Sequence, residues 1–354
     1  MRVLASLTVL LIAQLSTALA ADDAIMKQAQ ATFEPIPLKP PALKDVNSTP
    51  AMIELGKALF FDPRLSYSGK ISCNSCHQVG LGGADTLPTT IGHKWQNGSR
   101  EVPAWQDRRN APTVMNAVFN KSQFWDGRAS ELNERAGGLT RNPIEMGMSA
   151  DHVLDMLKRI PGYAKPFRDA FPGDANPITI ANVSSAIAAF EATLITPNAP
   201  FDKYLRGDVG ALNVEQINGL KLFMEKGCSS CHAGINVGGQ TYAPLGVVER
   251  PGAHILPPTD KGRLIISHTA SDEYVFRVPP LRNVELTPPY FHSGSSWDLG
   301  EAVTVMGASQ LGQKLNEDEV TKITAFLKSL TGEQPQVTYP ILPPSVETTP
   351  RPAQ

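Results

Sequence analysis

The four cysteines of this 354-residue chain fall in two pentapeptides, Cys73-Asn74-Ser75-Cys76-His77 and Cys228-Ser229-Ser230-Cys231-His232. Two thiols at this spacing can add across the vinyl groups of a porphyrin, and the following His turns its imidazole onto the iron. The pattern is the attachment signature of c-type haem. Two disulfides, or one zinc held by all the thiolates, would use the same cysteines, but neither accounts for a His after both pairs. Two covalently bound haem c groups are therefore expected, with Cys73, Cys76, Cys228 and Cys231 as attachment points and His77 and His232 on the irons. A haem with one protein ligand has a face free for substrate, whereas a haem with two passes electrons. Second ligands could come from His93, His152, His254, His268, His292 or the methionines, and residue type alone does not choose among them.

The elements that must position these motifs are helices. Gly56-Lys57-Ala58-Leu59-Phe60 precedes the first motif and Gly219-Leu220-Lys221-Leu222-Phe223 the second, a weak internal repeat. Asn213 with Gln216, and Asn316 with Glu319, have the spacing of capping boxes. Val320, Ile323, Phe326, Leu327 and Leu330 form one helical stripe, and Val183, Ile187, Phe190 and Leu194 another. Residues 238–284, rich in Gly, Pro and β-branched types, read as loops and short strands. The lead-in over 22–50 and the tail from Pro335 are Pro-rich and extended. The fold class expected is mostly α, with two tandem cytochrome c-like domains, long loops and one haem in each. The boundaries are 21–196 and 197–334, followed by a tail at 335–354.

Residues 1–20 carry Arg2, an apolar run from Val3 to Leu15 and Ala18-Leu19-Ala20. This is the pattern of an export signal cleaved after Ala20, and the run falls short of the ~20 residues that span a bilayer. Export suits c-type attachment, so a periplasmic location without a membrane span is expected. The formal net charge of −2 offers no basic field for nucleic acid.

Several blocks in order give the chain a resemblance: Leu59-Phe60-Phe61-Asp62-Pro63-Arg64-Leu65-Ser66, Asn110-Ala111-Pro112-Thr113, Gln123-Phe124-Trp125-Asp126-Gly127-Arg128, Asn142-Pro143-Ile144-Glu145-Met146-Gly147, and the run from Arg282 to His292. From Leu55 to Gly332 the chain resembles the bacterial di-haem cytochrome c peroxidases, a group that includes the MauG-type enzymes. The resemblance implies that His93 is a labile distal ligand of the N-terminal, peroxide-reducing haem. It also places Met306 opposite His232 on the C-terminal, electron-transferring haem, where a thioether favours the reduced iron. MauG-type enzymes have Tyr at that position, so Met306 points to the peroxidase branch. Trp125 matches the relay between the haems. Glu145 matches the acid-base that takes a proton from hydrogen peroxide and returns it to the departing oxygen. Asn110, Thr287 and Pro289 match positions whose oxygens hold calcium between the domains.

Three departures stand out. Arg135 replaces a Gln near the peroxide haem and either polarises peroxide or turns outward. Gly138-Leu139 replaces a Gly-Pro. Residues 99–109, with Trp105, look like an insertion in the region expected to rearrange on activation. The resemblance implies reduction of hydrogen peroxide to water by a homodimer that draws electrons from a small cytochrome c or cupredoxin. The alternatives are MauG-like oxidation of a partner protein and a pure electron-transfer cytochrome.

Overall fold

The computed structural model describes residues 23–44, 46–92, 109–138 and 145–352. Helices dominate. They are α1 (23–32), α2 (Pro50–Phe61), α3 (Cys73–Cys76), α4 (Leu132–Gly138), α5 (Ala150–Lys158), α6 (Ala164–Ala170), α7 (Ile180–Glu191), α8 (Pro200–Leu205), α9 (Val214–Glu225), α10 (Leu264–Ser267), α11 (Leu299–Leu311) and α12 (Glu317–Lys328). The sheet among the described residues is one antiparallel pair, β1 (Tyr242–Pro244) and β2 (Val275–Arg277), with Tyr242 opposite Arg277. Both capping boxes form: Asn213 and Gln216 exchange side chain-to-backbone bonds at the start of α9, as Asn316 and Glu319 do at α12.

The internal repeat has a physical meaning. Gly56 on α2 and Gly219 on α9 each sit where another helix crosses. A Cβ on Gly56 would lie 1.7 Å from the Ala186 carbonyl oxygen of α7, and one on Gly219 1.9 Å from that of Lys322 on α12. Only glycine permits either backbone approach. Around each crossing grows a separate apolar core. The first gathers Leu55, Leu59, Phe60, Ile187 and Phe190 with Cys73, and Phe60 meets Phe190 edge-on at 5.2 Å. The second gathers Leu220, Phe223, Val303, Ile323 and Phe326, with Cys228 packed against it.

The chain ends depart from a simple sequential division into 21–196 and 197–334. Helix α1 buries Met26 and Ala29, and the next residue Phe33, in the second core, where Phe33 meets Phe201 at 5.3 Å. Polar bonds fix it there: Gln30 donates to the Leu205 carbonyl, and the Ile36 N–H to Asp202. The Pro-rich tail crosses the other way. Val337 packs on the first core, Tyr339 lies 4.8 Å from Phe61, and Arg64 donates to the Pro343 carbonyl and the Ser345 hydroxyl. Asp62, fully buried, anchors this seam by accepting from Arg64 and the Tyr163 hydroxyl. The Asp62-Pro63-Arg64 block is thus a fastening for the tail.

Candidate active site

The first motif opens onto a cavity. Its walls include Cys73, Cys76, His77, Asn110, Phe124, Trp125, Arg128, Arg135, Glu145 and Met146, around about 860 Å³ of space counted to its open mouth. Ser72 and Ser75 close a capping box that starts α3 and presents both thiols to this space. His77 is held in one tautomer. Arg135 Nη2 lies 2.8 Å from His77 Nε2, and a guanidinium only donates, so Nε2 accepts and the proton sits on Nδ1. Nδ1 faces the carbonyls of Gly83 and Pro112 without meeting full hydrogen-bond geometry. Burial first, then Arg135, hold the His77 pKa well below its usual value. A metal-binding His characteristically gives its other N–H to a carbonyl, which leaves Nε2 for the metal.

The second motif repeats this arrangement. His232 is buried, its Nδ1 is 3.3 Å from the Val237 carbonyl oxygen, and the Pro279 carbonyl also faces it. Burial pushes its pKa down to about 4 against those two carbonyls. Gly238 makes the approach possible, since a Cβ there would lie 2.2 Å from the Pro279 oxygen and 3.1 Å from His232 Nδ1. No disulfide joins the four cysteines. Cys73 belongs to the first core and Cys228 packs on the second, and no group of His, Cys, Asp and Glu among the described residues is placed to hold one shared zinc. Burial pushes Cys73 up to about 12 and Cys228 up to about 11, which keeps both protonated before haem is attached. A thiol pair beside a neutral imidazole whose Nδ1 faces backbone carbonyls fits covalent haem in each domain; in the first, an iron would take the place at Nε2 that Arg135 Nη2 meets at 2.8 Å.

Arg135 points inward. It is 2 % exposed and pairs with Glu191 at 3.6 Å, and burial raises the Glu191 pKa against that cation. Glu145 is half-buried in the wall, 3.7 Å from Arg128. Trp125 Nε1 donates to the Asn110 carbonyl, while the Trp125 carbonyl accepts from the Arg277 N–H at 2.7 Å. The Trp125 ring lies 6.2 Å from that of His292. Trp125 is therefore both a wall of the N-terminal cavity and a contact with the C-terminal domain. Asn110 joins the same seam, its N–H donating to the His292 carbonyl and its side chain to the Leu87 carbonyl. Thr287 ends the short turn Val284–Leu286, and Pro289 follows through a cis peptide bond. Met306 is carried on α11, whose Leu299 and Val303 lie in the second core. His93, residues 99–108 with Trp105, and Leu139 lie outside the described residues; Gly92, beside His93, lines the cavity.

Residues 50–210 match the family described as di-haem cytochrome c peroxidase, and residues 216–331 match cytochrome c. Cytochrome c551 peroxidase of Pseudomonas aeruginosa is 53 % identical over 97 % of both chains. That of Nitrosomonas europaea is 48 % identical over 85 % of this chain and 86 % of its own. The chain belongs to the di-haem cytochrome c peroxidase family. A solved MauG-like protein associated with microbial copper homeostasis has a TM-score of 0.71 at 26 % identity, covering 84 % of this chain and 94 % of its own. Membership brings two covalently bound haem c groups in tandem cytochrome c-type domains and peroxidase activity, and the MauG-like protein stands further off than the peroxidases.

Some residues of this peroxidase site escaped the sequence reading. Arg109 ties the domains by pairing with Asp126 at 2.8 Å and Asp260 at 2.6 Å. Glu191 and Arg277 are buried charges at the haem units. Each is a lone charge in an apolar run (Ala188-Ala189-Phe190-Glu191-Ala192 and Val275-Phe276-Arg277-Val278-Pro279), a pattern that signals a buried ion needing a partner.

Proposed function

We propose that this enzyme works in the periplasm, reducing hydrogen peroxide to water with electrons from a small soluble cytochrome c or cupredoxin. The observation that carries the reading is the cavity in which Cys73, Cys76 and His77 share walls with Glu145, Arg135 and Trp125. A haem bound there supplies the redox iron for O–O cleavage. Glu145 accepts a proton from the entering peroxide and returns it to the departing oxygen. Arg135, a cavity-wall cation paired with Glu191, offers N–H donors to charge developing on that oxygen. Trp125 relays electrons from the C-terminal unit. The contact of Pro279 with His232, followed by the Arg277-to-Trp125 backbone bond, supports this route.

We assign His232 and Met306 to the second iron and His93 to the first as a removable ligand. Asn110, Thr287 and Pro289 we assign to a calcium ion at the domain seam, since amide and carbonyl oxygens suit that cation. A homodimer is the expected assembly. Met306 and the lower identity to the MauG-like protein weigh against oxidation of a partner protein. The test is peroxide turnover by the half-reduced holoenzyme, with and without calcium, beside the His93→Gly variant. Calcium-dependent turnover, and a variant active without prior reduction, are expected. A variant that still requires pre-reduction would remove the gating role of His93.

A further inference from the structure

The domains meet through two copies of one segment. Asn116 and Asn283 both take the left-handed backbone, at φ 58° and 59°, as do Phe124 and Phe291, each at 67°, and Gly127 and Gly294. Gln123 bridges to Ala129 as Tyr290 does to Ser296. The copies grip one another reciprocally: the Asn110 N–H donates to the His292 carbonyl, and the Arg277 N–H to the Trp125 carbonyl. Each copy also carries a proline whose carbonyl faces a haem-motif histidine, Pro112 toward His77 and Pro279 toward His232. In both copies the left-handed asparagine follows that proline by four residues.

Each asparagine is fully buried and closes the end of its own helix crossing. The Asn116 N–H donates to the Leu194 carbonyl, and its Oδ1 accepts from the Thr196 N–H at 2.8 Å. The Asn283 N–H donates to the Leu330 carbonyl, and its Oδ1 accepts from the Gly332 N–H at 3.2 Å. Thr196 and Gly332 thus hold corresponding places after α7 and α12. Gly332 has no side chain to offer, and a Cβ there would lie 2.0 Å from the Thr196 carbonyl oxygen. A single hydroxyl therefore serves both copies: Thr196 Oγ1 accepts from Asn116 Nδ2 at 2.7 Å and from Asn283 Nδ2 at 2.8 Å. A hydroxyl oxygen has two lone pairs, and both are taken. A buried amide that loses its acceptor bears the full cost of desolvation, so neither asparagine is easily released.

We propose that Thr196 is a positioning residue for both haem-ligand histidines. Its hydroxyl locks the two asparagines together. Through the short runs from Pro112 to Asn116 and from Pro279 to Asn283, it sets how firmly each proline carbonyl meets the imidazole Nδ1–H. That bond raises the basicity of a metal-bound His. The inference rests on a haem at each motif and not on the peroxide chemistry of Glu145 or Arg135. The test is a redox titration of the holoenzyme, following each haem by its own optical bands, in wild type, Thr196→Val and Thr196→Ser. Valine keeps the shape and removes the shared acceptor. Slackened proline carbonyls make both imidazoles poorer donors to ferric iron, so both midpoint potentials should rise. Thr196→Ser should return both close to wild type. Unmoved potentials, even with a lower melting temperature, overturn the proposal and leave Thr196 a structural residue only. A rise in one haem alone also overturns it, as does a Ser variant that shifts as far as Val. Should Thr196→Val not mature, Asn283→Gly decides, since glycine accepts the left-handed turn and lacks the amide. A raised potential of the C-terminal haem supports the link, and an unmoved one overturns it.

Discussion

Glu145 shares the cavity wall with Arg128 at 3.7 Å, so any proton it handles moves in the field of a cation. Glu145→Gln keeps the shape and removes the proton carrier. Turnover should fall about 10²–10⁴-fold with the optical spectra of both haems unchanged, and near-normal turnover would remove Glu145 from the chemistry. His292 is a second residue whose protonation matters. It is 2 % exposed, stacked on Phe276 at 4.2 Å and 3.7 Å from Asp260. Burial pushes its pKa down to about 4, with Asp260 raising it and Arg109 lowering it. The unfolded chain binds a proton near pH 6.5 that the folded chain refuses until near 4. The stability this His contributes is full above about pH 6.5 and declines as pH falls, by about 3 kcal/mol at the acid limit. Urea denaturation at pH 7 and pH 5 should show the decline, and His292→Gln should flatten it; an equal slope in both proteins would place the acid sensitivity elsewhere.

The crossing of α2 with α7, and of α9 with α12, is the repeated element on which each haem motif hangs. Gly56→Ala and Gly219→Ala force a methyl into a backbone carbonyl, so each should cost at least the 1–3 kcal/mol typical of overpacking, or about that order. Calorimetry of the holoenzyme should show the loss for both variants, and wild-type melting of either would mean that the crossing relaxes freely. The crossings were half legible. Val183, Ile187 and Phe190, like Ile323, Phe326 and Leu327, announce a buried face by their spacing, and the capping boxes announce helix starts. Sequence alone could not say which backbone each Gly touches, because that contact joins residues more than a hundred positions apart. The same limit hid the ion pair of Arg109 with Asp260, whose partners lie 151 residues apart. Cys-x-x-Cys-His was legible because thiols and imidazole must be neighbours in sequence to serve one porphyrin. Arg277 was not, since its partners Phe124 and Trp125 come from the other domain.

At the scale of the molecule, each end of the chain is packed on the other end's domain. A chain stopped after Gln334 loses the cover of Val337, Tyr339 and Pro343 over Phe61 and Arg64. Hydrogen exchange should then speed up in 61–74 and 159–163 while α9 and α12 stay protected; uniform loosening of both domains would contradict the tail's local role. This exchange of ends also sets a timetable. Helix α1 is synthesised early, yet its docking site of Phe201, Phe223 and Phe326 is complete only after Phe326 has emerged. The last residues in turn seal a unit made long before. Neither half can lock shut until its sibling has been made, so the enzyme matures as a single act, and a chain interrupted midway leaves both of its halves unfinished.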